Sequence, residues 1–333
     1  MTTIKDVAKA AGVSAITVSR VINKPDSVKE STRIRVQEVM KDLKYVTNAA
    51  ARSLVSNRTG IIDVFVPESI DISNPFVMHF IAGISSVLSR KMYSFLILRN
   101  REQEHLCDGY IVTGLLRNEV QDFEKYAGER HRPLLLFGHE KSDYTDCIDV
   151  NNVAGSQMGV EYLLSLGHKR IAMINVAEDK DYTDDRLEGY RKALENAGLT
   201  FDRNDVLYTV NSPEGGAQAV QRLLAHADYS AVFCATDTIG IGVTTELIKY
   251  GYRVPEDISI LGFDGLGHNL LVTPALTSIQ QPVYEIGEML ARALLDKLDG
   301  KEIQHSVLVM PKLLMGGSVS ESRGTPVRRG GGV

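Results

Sequence analysis

Eight short apolar runs, each fenced by turn residues and separated by stretches of helical period, constrain this chain more than any other feature. Four come early, GIIDVFVP, YSFLILR, DGYIVTG and PLLLFG, and four later, RIAMINV, DVLYTV, AVFCATD and ISILGFD. Short apolar runs without alternation mark strands buried on both faces, and such strands belong to parallel sheets covered by helices. Helices are predicted between them at 75–91 and 117–130, then at 153–167, 185–197, 213–226 and 238–251. The pattern is that of a doubly wound α/β fold, written twice. After LTSIQQP, a helix at 283–299 and a strand near 305–309 are expected to return to the first of the two subdomains.

Residues 1–58 follow different rules. They carry eleven Lys or Arg against five Asp or Glu, a balance of +6, while the remaining 275 residues carry 26 against 37, a balance of −11. A basic head on an acidic body suits a head that alone meets a polyanion. IKDVAKAAGV places Ile4, Val7, Ala8 and Ala11 at helical spacing before Gly12 breaks the helix. Ser14 is suited to cap a second helix, which Asn23, Lys24 and Pro25 close. ESTRIRVQEVMKDLKYV gives a third, with Ile34, Val36, Val39, Met40 and Leu43 on its apolar side. Three short helices, the first two joined by a Gly-containing turn, describe a helix-turn-helix domain. The second helix of such a pair enters the major groove. Val18, Val21 and Ile22 can bury one side of it, leaving Ala15, Ile16, Thr17, Ser19, Arg20 and Asn23 to face the duplex. Ser14 and Thr17 can donate to phosphate or base, Ile16 can meet a thymine methyl, and Arg20 can read guanine bidentately.

The string IKDVAKAAGVSAITVSRVIN resembles the N-terminal signature of the LacI family of bacterial transcription regulators almost position for position. YVTNAAARSLVSNRTG, 45–60, resembles that family's hinge segment, with Thr47 where Pro is usual. Asn48 is suited to cap a helix from Ala49 to about Val55, too short to be stable alone in water, so folding on DNA is expected. Its alanines would let two such helices approach closely, with Leu54 as an apolar wedge into the minor groove. The resemblance covers about 2–318. It implies DNA contacts from Thr3, Ser14, Ala15, Ile16, Thr17, Ser19, Arg20, Asn23, Thr32, Tyr45, Asn48, Ala51 and Leu54. It also implies a body like a periplasmic sugar-binding protein, with a ligand between two subdomains. The expected organisation is a helix-turn-helix domain at 1–46, a hinge helix or linker at 47–59, and an effector-binding and dimerisation core at 60–318. Within that core the N-subdomain takes about 60–151 and 280–318 and the C-subdomain about 152–279. The Gly- and Arg-rich tail, 319–333, is expected to be disordered.

Ligands of open α/β sheets bind outside the carboxyl ends of the strands. Phe76, in SNPF, is placed to stack on a ring. Arg186, in DDRLEGY, matches the family's effector-contacting arginine, and Asp264, in GFDG, its carboxylate that accepts effector hydroxyls. Asn211 and Gln281 stand where some relatives touch sugar. The chain departs from the family pattern in three places. RNREQEHLC, 99–107, is too short for the usual crossover helix. Thr236 replaces a frequent Asn, which leaves Asp237 chiefly as an N-cap, and Asn151 replaces the Asp of the usual pair before Gly155.

Other function classes find little support. No apolar run of about 18 residues suggests a membrane span, and MTTIKDVAKAAGV has no secretory h-region. Cys107, Cys147 and Cys234 match neither a disulfide framework nor a zinc spacing, and read as buried thiols in a reducing cytoplasm. There is no Gly-x-Ser-x-Gly, HExxH or phosphate loop. The glycines of DTIGIGVTTE suit close helix packing better than a dinucleotide site, and His168 suits a helix end. Neither catalysis nor a metal or cofactor is expected. The chain reads as a cytoplasmic, homodimeric repressor on a pseudo-palindromic operator, controlled by a sugar or sugar phosphate. The alternative is a catabolite-control type regulator whose corepressor is a phosphorylated carrier protein.

Overall fold

The computed structural model describes residues 2–23, 27–45, 58–102, 105–139 and 145–324. Their contacts divide them into two units, residues up to 61 together with 106–108, and the rest.

In the first unit, α1 (Ile4–Ala11) begins on a reciprocal cap. The Asp6 amide donates to the Thr3 hydroxyl, and the Thr3 amide donates to the Asp6 carboxylate at 2.8 Å. Gly12, at φ 63°, ends the helix in the left-handed region. Ser14 Oγ accepts the Thr17 amide at 3.1 Å and so starts α2 (Ala15–Asn23). With α3 (Glu30–Asp42), these helices close over Val7, Ala8, Ala11, Val18, Val21 and Val36. Two residues assigned to the apolar side of the third helix are exposed instead, Ile34 at 47% and Leu43 at 36%. Ile34 lies about 200° around the helix from Val36, and Leu43 is the C-cap, past the last helical residue.

The second unit holds two sheets. The first contains β1 (Ile61–Phe65), β2 (Ser94–Leu98), β3 (Gly109–Thr113), β4 (Leu134–Phe137), β5 (Asp146–Val150) and β11 (Ser306–Val309), in the order β2-β1-β3-β4-β5-β11. The second contains β6 (Ile171–Val176), β7 (Val206–Thr209), β8 (Ala231–Cys234), β9 (Ser259–Asp264), β10 (Thr277–Gln280) and β12 (Lys312–Leu314), in the order β7-β6-β8-β9-β10-β12. β12 runs antiparallel to β10, while β6 to β10 pair in parallel. Without its last strand, each sheet has the same doubly wound order, whose reversal point opens a crevice at the carboxyl ends of the strands. The covering helices are α4 (Pro75–Arg90), α5 (Arg117–Glu129), α6 (Asn152–Ser165), α7 (Asp181–Asn196), α8 (Pro213–His226), α9 (Asp237–Lys249) and α10 (Val283–Leu298). The chain passes between the sheets three times, after β5, after β10 and after β11.

Glycine is required where α8 meets α9, because a β-carbon on Gly242 would overlap the Pro213 carbonyl. The second glycine of the Gly-x-Gly in DTIGIGVTTE is therefore at a helix–helix contact, and the first, Gly240, packs on Leu276. All three cysteines are free thiols and buried. No described helix is long and apolar enough to cross a membrane.

Three features differ from the sequence expectation. DCIDV, not recognised as a strand, forms β5, buried along its whole length. Its acids are held by distant partners: Asp146 by Lys297 and by His305 Nδ1 at 3.0 Å, Asp149 by His139. α7 begins at Asp181 rather than 185, with Asp181 and Asp184 in its first turn, where carboxylates favour a helix N-terminus. The tail does not leave the fold at 319. The Ser320 amide donates to Ser259 Oγ and the Ser322 amide to the Leu166 carbonyl, while 325–333 lie outside the described residues. The described part of 99–108 contains no helix, as expected from its length. His105 Nε2 instead lies 2.7 Å from the Asp63 carboxylate of β1.

Candidate functional site

The first unit offers one face of α2. Val18 and Val21 are buried, at 0% and 4%, whereas Ile16 is 67% exposed. Ile16 and Arg20, one turn apart, therefore share the outward face opposite Val18. The Ser14 and Thr17 hydroxyls lie 2.9 Å apart, so the cap also orients the first polar group of that face. Ala15 and Tyr45 pack partly against the head core, and Thr3 serves α1 as its cap. Thr32 and Ser19 are half-buried. Asn48, Ala51 and Leu54 lie outside the described residues, as does the side chain of Asn23.

In the second unit, the carboxyl ends of β8 and β9 lie beside Arg186 of α7 and Asp237 of α9. Arg186, 3% exposed, donates from Nε to Asn152 Oδ1 at 3.0 Å and from Nη1 to the Ala235 carbonyl at 2.5 Å. Its guanidinium lies 3.7 Å over the Phe263 ring and 4.7 Å from Tyr182, with Asp264 Oδ1 at 3.7 Å. A planar cation held by carbonyls and an aromatic face is pre-organised rather than mobile. Asp264 in turn accepts Gln281 Nε2 at 2.6 Å. Its backbone stands at φ 127°, a conformation an L-residue holds at a cost of about 1–3 kcal/mol and one that gathers at functional sites.

Beneath Asp264 sits Asp237, fully buried, accepting Ser278 Oγ at 2.6 Å and the Gly265 amide at 2.7 Å. Burial, then the neighbouring Asp264, push its carboxyl up to about 8, so it is largely protonated at neutral pH. Burial raises Asp264 too, against the lowering charge of Arg186. Asp237 is not the N-cap of α9 as expected. Thr236 takes that place, its Oγ1 accepting the Ile239 amide, which frees Asp237 to brace the loop under Asp264.

Across the crevice, residues of the first sheet reach α7. Arg117, first residue of α5, binds Asp181 at 2.6 Å, Asp184 at 2.7 Å and Asp179 at 2.9 Å. His139, just past β4, places Nδ1 3.1 Å from Asp149 Oδ2 and 3.6 Å from Asp185 Oδ2. The Asp149 hydrogen bond, then the Asp185 charge, raise this imidazole to about 9, so it stands as a cation between two acids. Those three donor atoms lie within 4.8 Å of one another, and the imidazolium itself supplies their counter-charge.

Of the expected effector residues, the structure gathers Arg186, Asp264 and Gln281. Asn211 is exposed and accepts Thr236 Oγ1 at 2.8 Å, beside the helix cap rather than at the arginine. Phe76 is half-buried, its ring 5.1 Å from Phe137 and 6.3 Å from Phe80, inside an aromatic cluster of the first subdomain. Arg117, His139, Asp149, Asp185 and Tyr182 went unnoticed in the sequence. The only local signal was the acid-rich EDKDYTDDR, and its partners lie far away in the chain. Asn151, the replaced Asp, caps α6 by accepting the Ala154 amide. His168 closes the loop after α6, hydrogen-bonded to Ser230 Oγ and the Ser320 carbonyl.

Comparison with known proteins gives a family match for each of the two parts of the chain. Residues 3–48 match the family described as bacterial regulatory proteins, lacI family, and residues 160–319 match a periplasmic binding protein-like domain. The HTH-type transcriptional regulator YvdE of Bacillus subtilis (strain 168) is 37% identical over 319 residues, 95% of this chain and 98% of that protein. Among solved structures, a complex of the transcriptional regulator CelR with cellobiose is similar at TM-score 0.73 and 29% identity, covering 96% of this chain and 100% of that one. The lac repressor dimer bound to operator and the anti-inducer ONPF is similar at TM-score 0.75 and 25% identity, covering 96% and 99%.

Proposed function

The chain belongs to the LacI family of DNA-binding transcription regulators, and we propose that it is a homodimeric repressor whose hold on a pseudo-palindromic operator is set by an uncharged sugar. One monomer presents one reading helix, so two half-sites are needed for tight specific binding. The observation that carries the effector reading is the constellation of Arg186, Asp264 and Gln281 over Phe263. It combines an aromatic face with acceptors and donors suited to sugar hydroxyls. The similarity to a cellobiose-bound regulator supports the same class.

Charge separates a free sugar from a sugar phosphate. Three cations of the crevice among the described residues are already engaged: Arg186 by Asn152, the Ala235 carbonyl and Asp264, Arg117 by three aspartates, His139 by two. A phosphate entering there meets carboxylates without a free counter-charge, whereas hydroxyls can donate to those same carboxylates. Binding would then shift the balance between two arrangements of the subdomains, and with it the operator affinity. This reading involves no covalent step, metal or cofactor, and places the protein in the cytoplasm with its DNA.

A thermal-shift panel of neutral mono- and disaccharides, sugar phosphates and purines tests it. A neutral sugar at one hundred times its dissociation constant should stabilise the protein by about 2.7 kcal/mol and change its operator affinity. A larger shift from a sugar phosphate than from the parent sugar would overturn the assignment.

A further inference from the structure

The segment leading into β1 is tied down by a single carboxylate. Asp108, 1% exposed, accepts the Thr59 amide on Oδ1 and the Gly60 amide on Oδ2, each at 2.8 Å. The Asp108 amide in turn donates to the Ile61 carbonyl at 2.8 Å, and the Ile61 amide donates to Thr59 Oγ1 at 3.1 Å. Gly60 stands at φ 72°, and nothing lies within 4 Å of where its β-carbon would be. Glycine is needed there for its backbone, which lets two successive amides turn toward one acceptor pair.

Beginning a strand needs no buried charge. A carboxylate taken out of water costs stability unless its oxygens are matched, and here both are matched by amides of the linker. Asp108 is followed directly by β3, and Gly60–Ile61 runs directly into β1. Three hydrogen bonds thus hold residues 59–61, the root of the segment joining the reading head to the body, against the residue that precedes β3, and a fourth fixes 59–61 internally. We infer that Asp108 is the positioning residue that sets how the linker leaves the body, and so couples the body to operator recognition. It rests on the reading of the protein as an operator-binding repressor. The buried side chain acts through the backbone of 59–61.

The test uses the full chain and a duplex that the wild-type protein selects from a randomised library, with a scrambled duplex as control. Asp108→Asn keeps the shape but turns an amide group toward one of the two linker amides. It should lower affinity for the selected duplex at least tenfold, leave the scrambled duplex within twofold, and speed hydrogen exchange at Thr59 and Gly60 at least tenfold. Gly60→Ala serves as the second variant, because it strains the linker without touching the buried body; it should lose selected-duplex affinity in the same direction, three- to fivefold. Faster exchange at 59–60 with unchanged discrimination between duplexes overturns the coupling. Equal losses on both duplexes overturn it as well, as does a Gly60→Ala protein indistinguishable from wild type. A wild-type protein that selects no duplex defeats the operator-binding reading itself, and the proposal with it.

Discussion

Replacing Arg186 with Met keeps the apolar stem of the side chain and removes its charge and donors. Asn152 Oδ1 and the Ala235 carbonyl each lose a buried donor, at about 1–3 kcal/mol apiece. Asn152 has little freedom to compensate, since its amide already donates to the Val150 carbonyl at 3.1 Å. The cation stacked over Phe263 and Tyr182 contributes about 1–2 kcal/mol more. Leaving Asp264 as an unpaired buried charge would add about 3–5 kcal/mol, but Asp264 has an escape. Burial already raises its carboxyl, and without the arginine it takes up a proton instead. The expected loss is therefore about 3–8 kcal/mol, or on the order of 10–20 °C in melting temperature for a body of this size. The sign of the pH dependence follows. A carboxyl raised further in the folded state than in the unfolded chain favours the fold most at low pH and loses that advantage as pH rises. The deficit of Arg186→Met against wild type should accordingly grow between pH 5 and pH 8. Urea unfolding of both proteins at several pH values measures it. A deficit below about 1 kcal/mol, or one independent of pH, would refute the view that Arg186 organises the crevice.

Three other outcomes are expected. Arg20→Ala should cost about 1–3 kcal/mol on a selected duplex and less on scrambled DNA, where phosphate contacts dominate; equal losses in parallel anisotropy titrations would make Arg20 a backbone grip. His139, raised to about 9 from an ordinary 6.5, contributes stability that is full below pH 6.5 and lost as pH rises through 9. Wild type should therefore lose more melting temperature than His139→Gln between pH 7 and pH 10, and parallel curves would count against the cation. Leu54→Ala, in the hinge sequence, should weaken selected-duplex binding at least tenfold with scrambled binding nearly unchanged; equal affinity for wild type and variant on the selected duplex would reduce that segment to a tether.

Local rules carried the sequence reading far. The cap at Ser14 and the ends of α8 follow from chemistry within four residues. Arg186 and Asp264 were reached through the family resemblance. What the sequence hides is long-range satisfaction. DCIDV does not look like a buried strand because the side chains that match its two acids, Lys297, His305 and His139, lie outside it. Once β5 is overlooked, the His139–Asp149–Asp185 group cannot be assembled, since its members come from a strand end, a strand and a helix. Asp237 illustrates the reverse error. One hydroxyl upstream could cap α9 equally well, and only the fold reveals which residue was free to go beneath Asp264.

The last passage of the chain between the two sheets bears on how the protein is made. β11 completes the first sheet and β12 the second, and both lie beyond residue 305. A nascent chain therefore reaches α10 with neither half finished, β5 lacking its outer neighbour on one side and β10 on the other. Open strand edges of this kind invite pairing with other chains. Synthesis interrupted before residue 306 releases two unfinished halves rather than one finished domain and a stub, and cotranslational folding of the body is committed only in its closing residues.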